Sequence, residues 1–185
     1  MNTNKTLLWI TRTAVLIALL ITLQWGLGAL TAGNQFIVGS AVNFVLIIAV
    51  ITSGFFSGFT VAIASPFMAF LVGVGPAKLL LIPFISIGNA VLVIVWFLLV
   101  KKTPKNINEY TKQIVALVAG AVLKFITLYF LIVKYAIPVL LKLPEGPAAV
   151  MSASFSWPQL VTASIGGVLA ILVMPVMNKI TKRAE

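Results

Sequence analysis

Residues 114–137 read IVALVAGAVLKFITLYFLIVKYAI, an apolar run with Lys124 near its middle. A run of this length suits one helical crossing of a bilayer, which takes about 20 apolar residues. Charged side chains deep in such a run are costly and usually mark a substrate or ion path. The chain holds only three acidic residues, Glu109, Glu145 and Glu185, and none falls within a comparable run. Lys124 therefore has no carboxylate of its own chain to meet, and a ligand, backbone carbonyls or water must answer it. An anionic or strongly hydrogen-bonding ligand is the sharper reading. The blander one has Lys124 snorkelling along the protein surface toward a headgroup region.

The rest of the chain resembles this run. Hydrophobic residues make up 61% of the 185 and charged ones 9%, against about 45–50% and about 25% in soluble domains. The expected fold is all-α: a single domain, residues 1–185, forming an integral membrane bundle of six helices. The spans read as 8–30, 36–54, 55–73, 79–100, 114–137 and 157–177. Spans two and three have almost no polar break, and Ser53, Gly54, Ser57 and Gly58 mark the turn between them. One helix across both is excluded, because about 38 residues of helix would run well past any bilayer.

The net charge of +10 is distributed by topology. Lys5 and Arg12 precede or open span one; Lys101, Lys102, Lys105 and Lys112 surround the fourth connection; Lys179, Lys182 and Arg183 follow span six. An even number of spans puts these segments on one side, which the positive-inside rule makes the cytoplasm. Only Lys78, Lys134 and Lys142 lie on the other side. Both termini are expected to be cytoplasmic, with the first helix retained rather than cleaved as a signal peptide. The basic surplus then faces anionic lipid, and nucleic acid is not an expected partner.

The inventory of reactive groups is thin. There is no histidine, cysteine or aspartate, so metal sites, thiol chemistry and intramembrane carboxylate proton relays are not expected. No catalytic residue or cofactor is expected either, since Lys124 and a few tyrosines are all that remain for acid–base work. A phosphate-binding loop of the form G-x-x-x-x-G-K-[ST] is also absent. Any pumping would draw its energy from a partner.

Polar and aromatic groups concentrate in the outer halves of the spans: Gln24, Trp25, Asn34, Gln35, Asn43, Asn89, Tyr129, Ser154, Ser156, Trp157 and Gln159. Each amide is either a bond between helices or a ligand contact, because unsatisfied amides in hydrocarbon cost several kcal/mol. Trp25 and Trp157 also suit interface anchors. Pro66 is expected to kink span three, and Gly73, Gly75 and Pro76 to break it into an external loop that carries Lys78 and lies over the site. Ala14 and Ala18 form a small-x-x-x-small pair in the cytoplasmic half of span one, spacing that lets a second helix approach closely. Gly54/Gly58, Ala116/Gly120 and Ala163/Gly167 share that spacing, for which packing within the monomer is the plain explanation.

Residues 12–24 (RTAVLIALLITLQ), 39–43 (GSAVN) and 54–58 (GFFSG) resemble the opening helices of the substrate-binding S components of energy-coupling factor (ECF) transporters. The resemblance extends over the whole chain in length, span number and orientation. It implies a multi-pass protein of the bacterial cytoplasmic membrane, with Ala14 and Ala18 docking on a shared transmembrane coupling subunit. Two partner ATPases then supply energy, and the S component tilts to carry its cargo inward. It also implies a vitamin site near the outer surface, which matches the polar groups above, so the expected substrate-binding residues are Lys124, Asn34, Gln35, Asn43, Lys78, Asn89, Tyr129, Trp157 and Gln159. Among family members the pattern is most like those for pantothenate, whose carboxylate suits Lys124 or Lys78 and whose hydroxyl and amide groups suit Asn43, Asn89 and Gln159. Pyridoxine or hydroxymethylpyrimidine, cobalamin, folate and riboflavin stay open as cargo. A self-sufficient anion carrier or channel lined by Lys124, and a ligand-free structural subunit, are the readings from other classes.

Overall fold

The computed structural model describes residues 3–76, 78–104 and 106–184, with side chains placed for 6–76, 78–104 and 106–177. The flanking charges Lys5, Lys105, Lys179, Lys182, Arg183 and Glu185 lie outside the described side chains. The described chain is helical, without strands. Its helices are α1 (Thr3–Leu30), α2 (Gln35–Ser53), α3 (Phe55–Leu71), α4 (Ile82–Trp96), α5 (Glu109–Leu128), α6 (Glu145–Ser154) and α7 (Trp157–Ala184). A short 3-10 turn, Leu79–Leu81, leads into α4, while π-pitched stretches prolong α4 over Phe97–Lys102 and α5 over Tyr129–Leu141. Five helical segments are long and apolar enough to cross a membrane; α3, with 17 residues, is shorter.

The centre of the bundle is α2, which packs against α1, α3, α4 and α7. Every position from Val45 to Ile51 is buried. Seven consecutive buried residues leave no outward face, the pattern of a helix enclosed on all sides. The edge helix α1 differs: Thr13, Leu16, Leu20, Gln24 and Gly28 form one buried seam at three- and four-residue spacing, while Leu7, Leu8, Ile10, Val15 and Leu19 point outward. An outer surface so rich in large apolar side chains would associate in water.

Close approaches between helices occur at glycines. A Cβ on Gly166 would stand 2.6 Å from that of Asn43 and 2.8 Å from the Ser40 carbonyl oxygen, so α7 crosses α2 nearly backbone to backbone. Gly88 lies against Leu128, and Gly120 against Leu92 and the fully buried Trp96, where α4 meets α5. Gly58 meets Val50 where α3 folds back on α2. The small residues Gly58, Ala116/Gly120 and Ala163/Gly167 thus serve packing within the chain, whereas Gly54 meets nothing and instead forms the turn between α2 and α3. Ala14 and Ala18 are instead exposed on the outer face of α1.

Several boundaries depart from the hydropathy reading, each for a local reason. Span three ends at Leu71, and Pro66 lies inside an unbroken α3. Span five begins at Glu109, where Asn108 caps the helix by accepting from Tyr110 N–H, and it passes Pro138 to end at Lys142 in a left-handed conformation. Proline removes a donor and crowds the preceding turn, and widened pitch is one way helices absorb such a misfit. The additional helix α6 occupies part of the connection after span five. Its Pro147 falls in the first turn, where proline is tolerated.

These contacts predict that Gly166→Val overpacks the α2–α7 crossing and costs about 1–3 kcal/mol. At Gly26 no atom lies within 4 Å of the place a methyl group would take, so Gly26→Ala should bring no loss. Apparent melting temperatures of the two purified variants in detergent check this; equal temperatures would refute the crossing.

Candidate functional site

Two helices bring polar side chains to an amine on a third. Lys124 on α5 is 3% exposed, and its Nζ donates to Asn43 Oδ1 on α2 at 2.6 Å and to Asn89 Oδ1 on α4 at 2.7 Å. The approach is set by small residues on either side. Gly120, one turn before Lys124, admits Leu92, and Gly88, beside Asn89, admits Leu128 one turn after. Asn43 is fixed in turn from α7: its Nδ2 donates to Thr162 Oγ1 at 3.3 Å, and that hydroxyl donates to the Gln159 carbonyl at 3.3 Å. With the amide nitrogen engaged there, the oxygen faces Lys124.

Lys124 thus does not snorkel. Its neighbours are amide dipoles rather than a carboxylate, so hydrogen bonding is provided while the counter-charge is not. An ammonium group has three donors. Two are taken up by asparagine oxygens, and no described residue accepts the third.

The same amine forms part of the wall of a cavity of about 1000 Å³. Asn43, Asn89, Gln24, Gln35 and Gln159 supply polar groups to that wall, with apolar surface from Ala69, Ile85, Val150 and Met151 among others. A mostly apolar hollow with a few convergent polar groups is the usual form of a small-molecule site, and this one lies at the upper end of the ordinary size range of roughly 300–1,000 Å³. Gln24 is 5% exposed, yet its Oε1 has no hydrogen-bond partner. Buried polar atoms are normally satisfied, and this one belongs to a residue of the cavity wall. Gln35 Nε2 and Gln159 Nε2 both donate to the Ser154 carbonyl, fastening the end of α6 to α2 and α7 beside the cavity.

Four residues expected at the site lie away from its wall. Asn34 caps α2, its Oδ1 accepting from Phe36 N–H, a role asparagine takes readily at helix starts. Lys78 is exposed at the entrance to the 3-10 turn. The preceding stretch, Val72–Pro76, does line the cavity, so the loop is adjacent although its lysine is not. Tyr129 follows Lys124 by five residues, about 140° further round a regular helix. Its ring packs with Phe125 and Phe130 and lies 5.5 Å from Lys134 Nζ. Trp157 is 60% exposed and its ring meets Phe36 at 5.6 Å, outside the cavity.

The wall also includes residues that hydropathy does not single out, chiefly Ser65 and the α6 side chains Val150 and Met151. Nothing in their local sequence marks them. No group of His, Cys, Asp or Glu able to hold a metal occurs among the described residues. Compared with protein-family models, curated proteins and solved structures, the chain matches none.

Removing one acceptor from a buried donor costs about 1–3 kcal/mol, more when the group is charged. Asn43→Leu and Asn89→Leu should each lower stability by at least that amount, and Lys124→Met added to either should recover part of the loss. A double-mutant cycle on thermal unfolding measures the coupling; strictly additive losses would mean that the amine does not depend on these oxygens.

Proposed function

We propose that the protein is the substrate-binding S component of an ECF-type vitamin importer, a multi-pass protein of the bacterial cytoplasmic membrane with six spans and both termini in the cytoplasm. The observation that carries the reading is the cavity wall at Lys124: an amine with two amide acceptors, a spare donor and no carboxylate beside it. A ligand carboxylate arriving there supplies the missing charge through a charge-assisted hydrogen bond. Gln24 Oε1 offers an acceptor for a hydroxyl or amide donor of the same ligand.

Pantothenate, which carries a carboxylate together with hydroxyl and amide groups, is the best-fitting vitamin on these grounds. The apolar outer surface and five long helices support the bilayer setting. In that setting α3 crosses as the short span, about 25 Å at helical rise. The exposed Ala14 and Ala18 support docking of a coupling subunit on α1, and ATP hydrolysis falls to two partner subunits.

Calorimetry on the detergent-solubilised chain should find submicromolar binding of one vitamin from a panel. For a carboxylate ligand such as pantothenate, Lys124→Met should weaken binding by about 10- to 100-fold, while the corresponding alcohol should bind both proteins alike. Absence of any vitamin binding would sink the assignment, and anion flux through liposomes holding this chain alone would favour a channel.

Orientation has its own test, because the chain contains no cysteine. Asn106→Cys should react with an impermeant thiol reagent only from the cytoplasmic side, and Glu145→Cys only from outside. The reverse pattern would invert the topology.

A further inference from the structure

A second polar pocket, about 220 Å³, lies at the other end of the bundle. Its apolar floor is Ile51, Val100 and Met174, and its polar wall includes Lys101, Glu109, Lys112 and Gln113. Gln113 and Lys124 are eleven residues apart on α5, about 16 Å along the axis, so the two hollows are separate. The C-terminal end of α2 and the N-terminal end of α5 build this one, whereas the vitamin cavity takes the N-terminal part of α2 and the middle of α5.

Two features of the pocket are unexplained by folding alone. Lys112, one of the basic residues around the fourth connection, has a side chain only 2% exposed, and its Nζ donates to Glu109 Oε1 at 2.7 Å. Its two other donors have no described acceptor. Glu109 itself is 62% exposed, so water screens its charge more than that of the buried amine. Gln113 is 7% exposed, and its Oε1 has no hydrogen-bond partner. The pocket therefore holds surplus donors on a cation and an unused acceptor on an amide. Lys101 adds a second cation on the wall, whereas Lys102 is turned to the Phe97 ring at 5.7 Å.

We infer that this pocket binds a phosphate group that has a hydrogen-bond donor next to it. The phosphate oxygens accept from Lys112 and Lys101, and the adjacent hydroxyl or ammonium donates to Gln113 Oε1. Glycerophospholipids with glycerol or ethanolamine headgroups have this chemistry; choline headgroups carry the phosphate but lack the donor. Protonated inorganic phosphate has both functions on one small ion. The pocket's place at the polar end of apolar helices favours the lipid, a source that rests on the bilayer reading above, while the phosphate chemistry does not.

Native mass spectrometry of the full chain in detergent tests this, with phosphatidylglycerol, phosphatidylethanolamine and phosphatidylcholine offered in equal amounts and inorganic phosphate in a parallel titration. Retention of the glycerol or ethanolamine lipid about tenfold above the choline lipid is expected, a factor corresponding to one hydrogen bond. Gln113→Leu should erase the preference among headgroups. Lys101→Gln, a change at an exposed position, should weaken all three lipids, and Lys78→Gln at the opposite end should weaken none. Displacement of lipid by inorganic phosphate would support the phosphate chemistry and assign the site to a solute. Equal retention of all three lipids by the wild-type chain, or binding of neither lipid nor phosphate, would overturn the proposal. Failure here is distinguishable from failure of the importer reading, because Lys124→Met should weaken carboxylate binding in the other cavity and leave lipid retention intact.

Discussion

The bundle is organised around an amine that cannot be left alone. In a low-dielectric interior an uncompensated ammonium is expensive, and this chain answers Lys124 with the oxygens of Asn43 and Asn89 rather than with a carboxylate. That choice constrains three helices at once. It fixes the rotation of α5, turns Asn43 on α2 inward, and sets the depth of Asn89 on α4. Hydrogen bonding of this kind meets the amine's geometry while leaving its charge unmatched, which sets it apart from a structural ion pair.

The glycines explain how the arrangement fits. Gly88 and Gly120 bring α4 and α5 together around the Asn89–Lys124 bond, and Gly166 lets α7 cross beside Asn43. Where helices lack a hydrophobic drive to associate, small residues allow the close contacts that hold them. Polar site and small-residue interfaces are thus one construction here: the first could not close without the second. The exposed pair Ala14 and Ala18 stands apart from that construction, which is what gives the docking proposal its place on α1.

Much of this was legible in the sequence, but unevenly. Apolar runs locate spans because burial in hydrocarbon demands length, and the boundaries of α2 at Gln35–Ser53 lie within a residue of the reading. Lys124 stood out because charge in such a run is rare. Its partners were harder to assign, since helices apolar on nearly every side carry little rotational signal; Asn43 and Asn89 were candidates among many amides. Asn34 was claimed by a local cap, and Tyr129 by the angle that five residues subtend. The helix α6 was hidden because its short run, EGPAAVMSAS, has neither the length of a span nor a distinct apolar stripe. Lys112 entered the sequence reading only as one of the basic residues around the fourth connection, and packing alone reveals that it is enclosed.

The joint between α2 and α3 is a single residue, Gly54, with φ 88° and ψ 176°. That combination is essentially confined to glycine, and one residue gives the hairpin no slack. The enclosed core helix and its neighbour are therefore yoked at that end, and neither can slide far along the other. If cargo delivery involves reorienting the protein in its bilayer, α2 and α3 would travel as a rigid keel, and pliancy would have to come from the longer connections elsewhere.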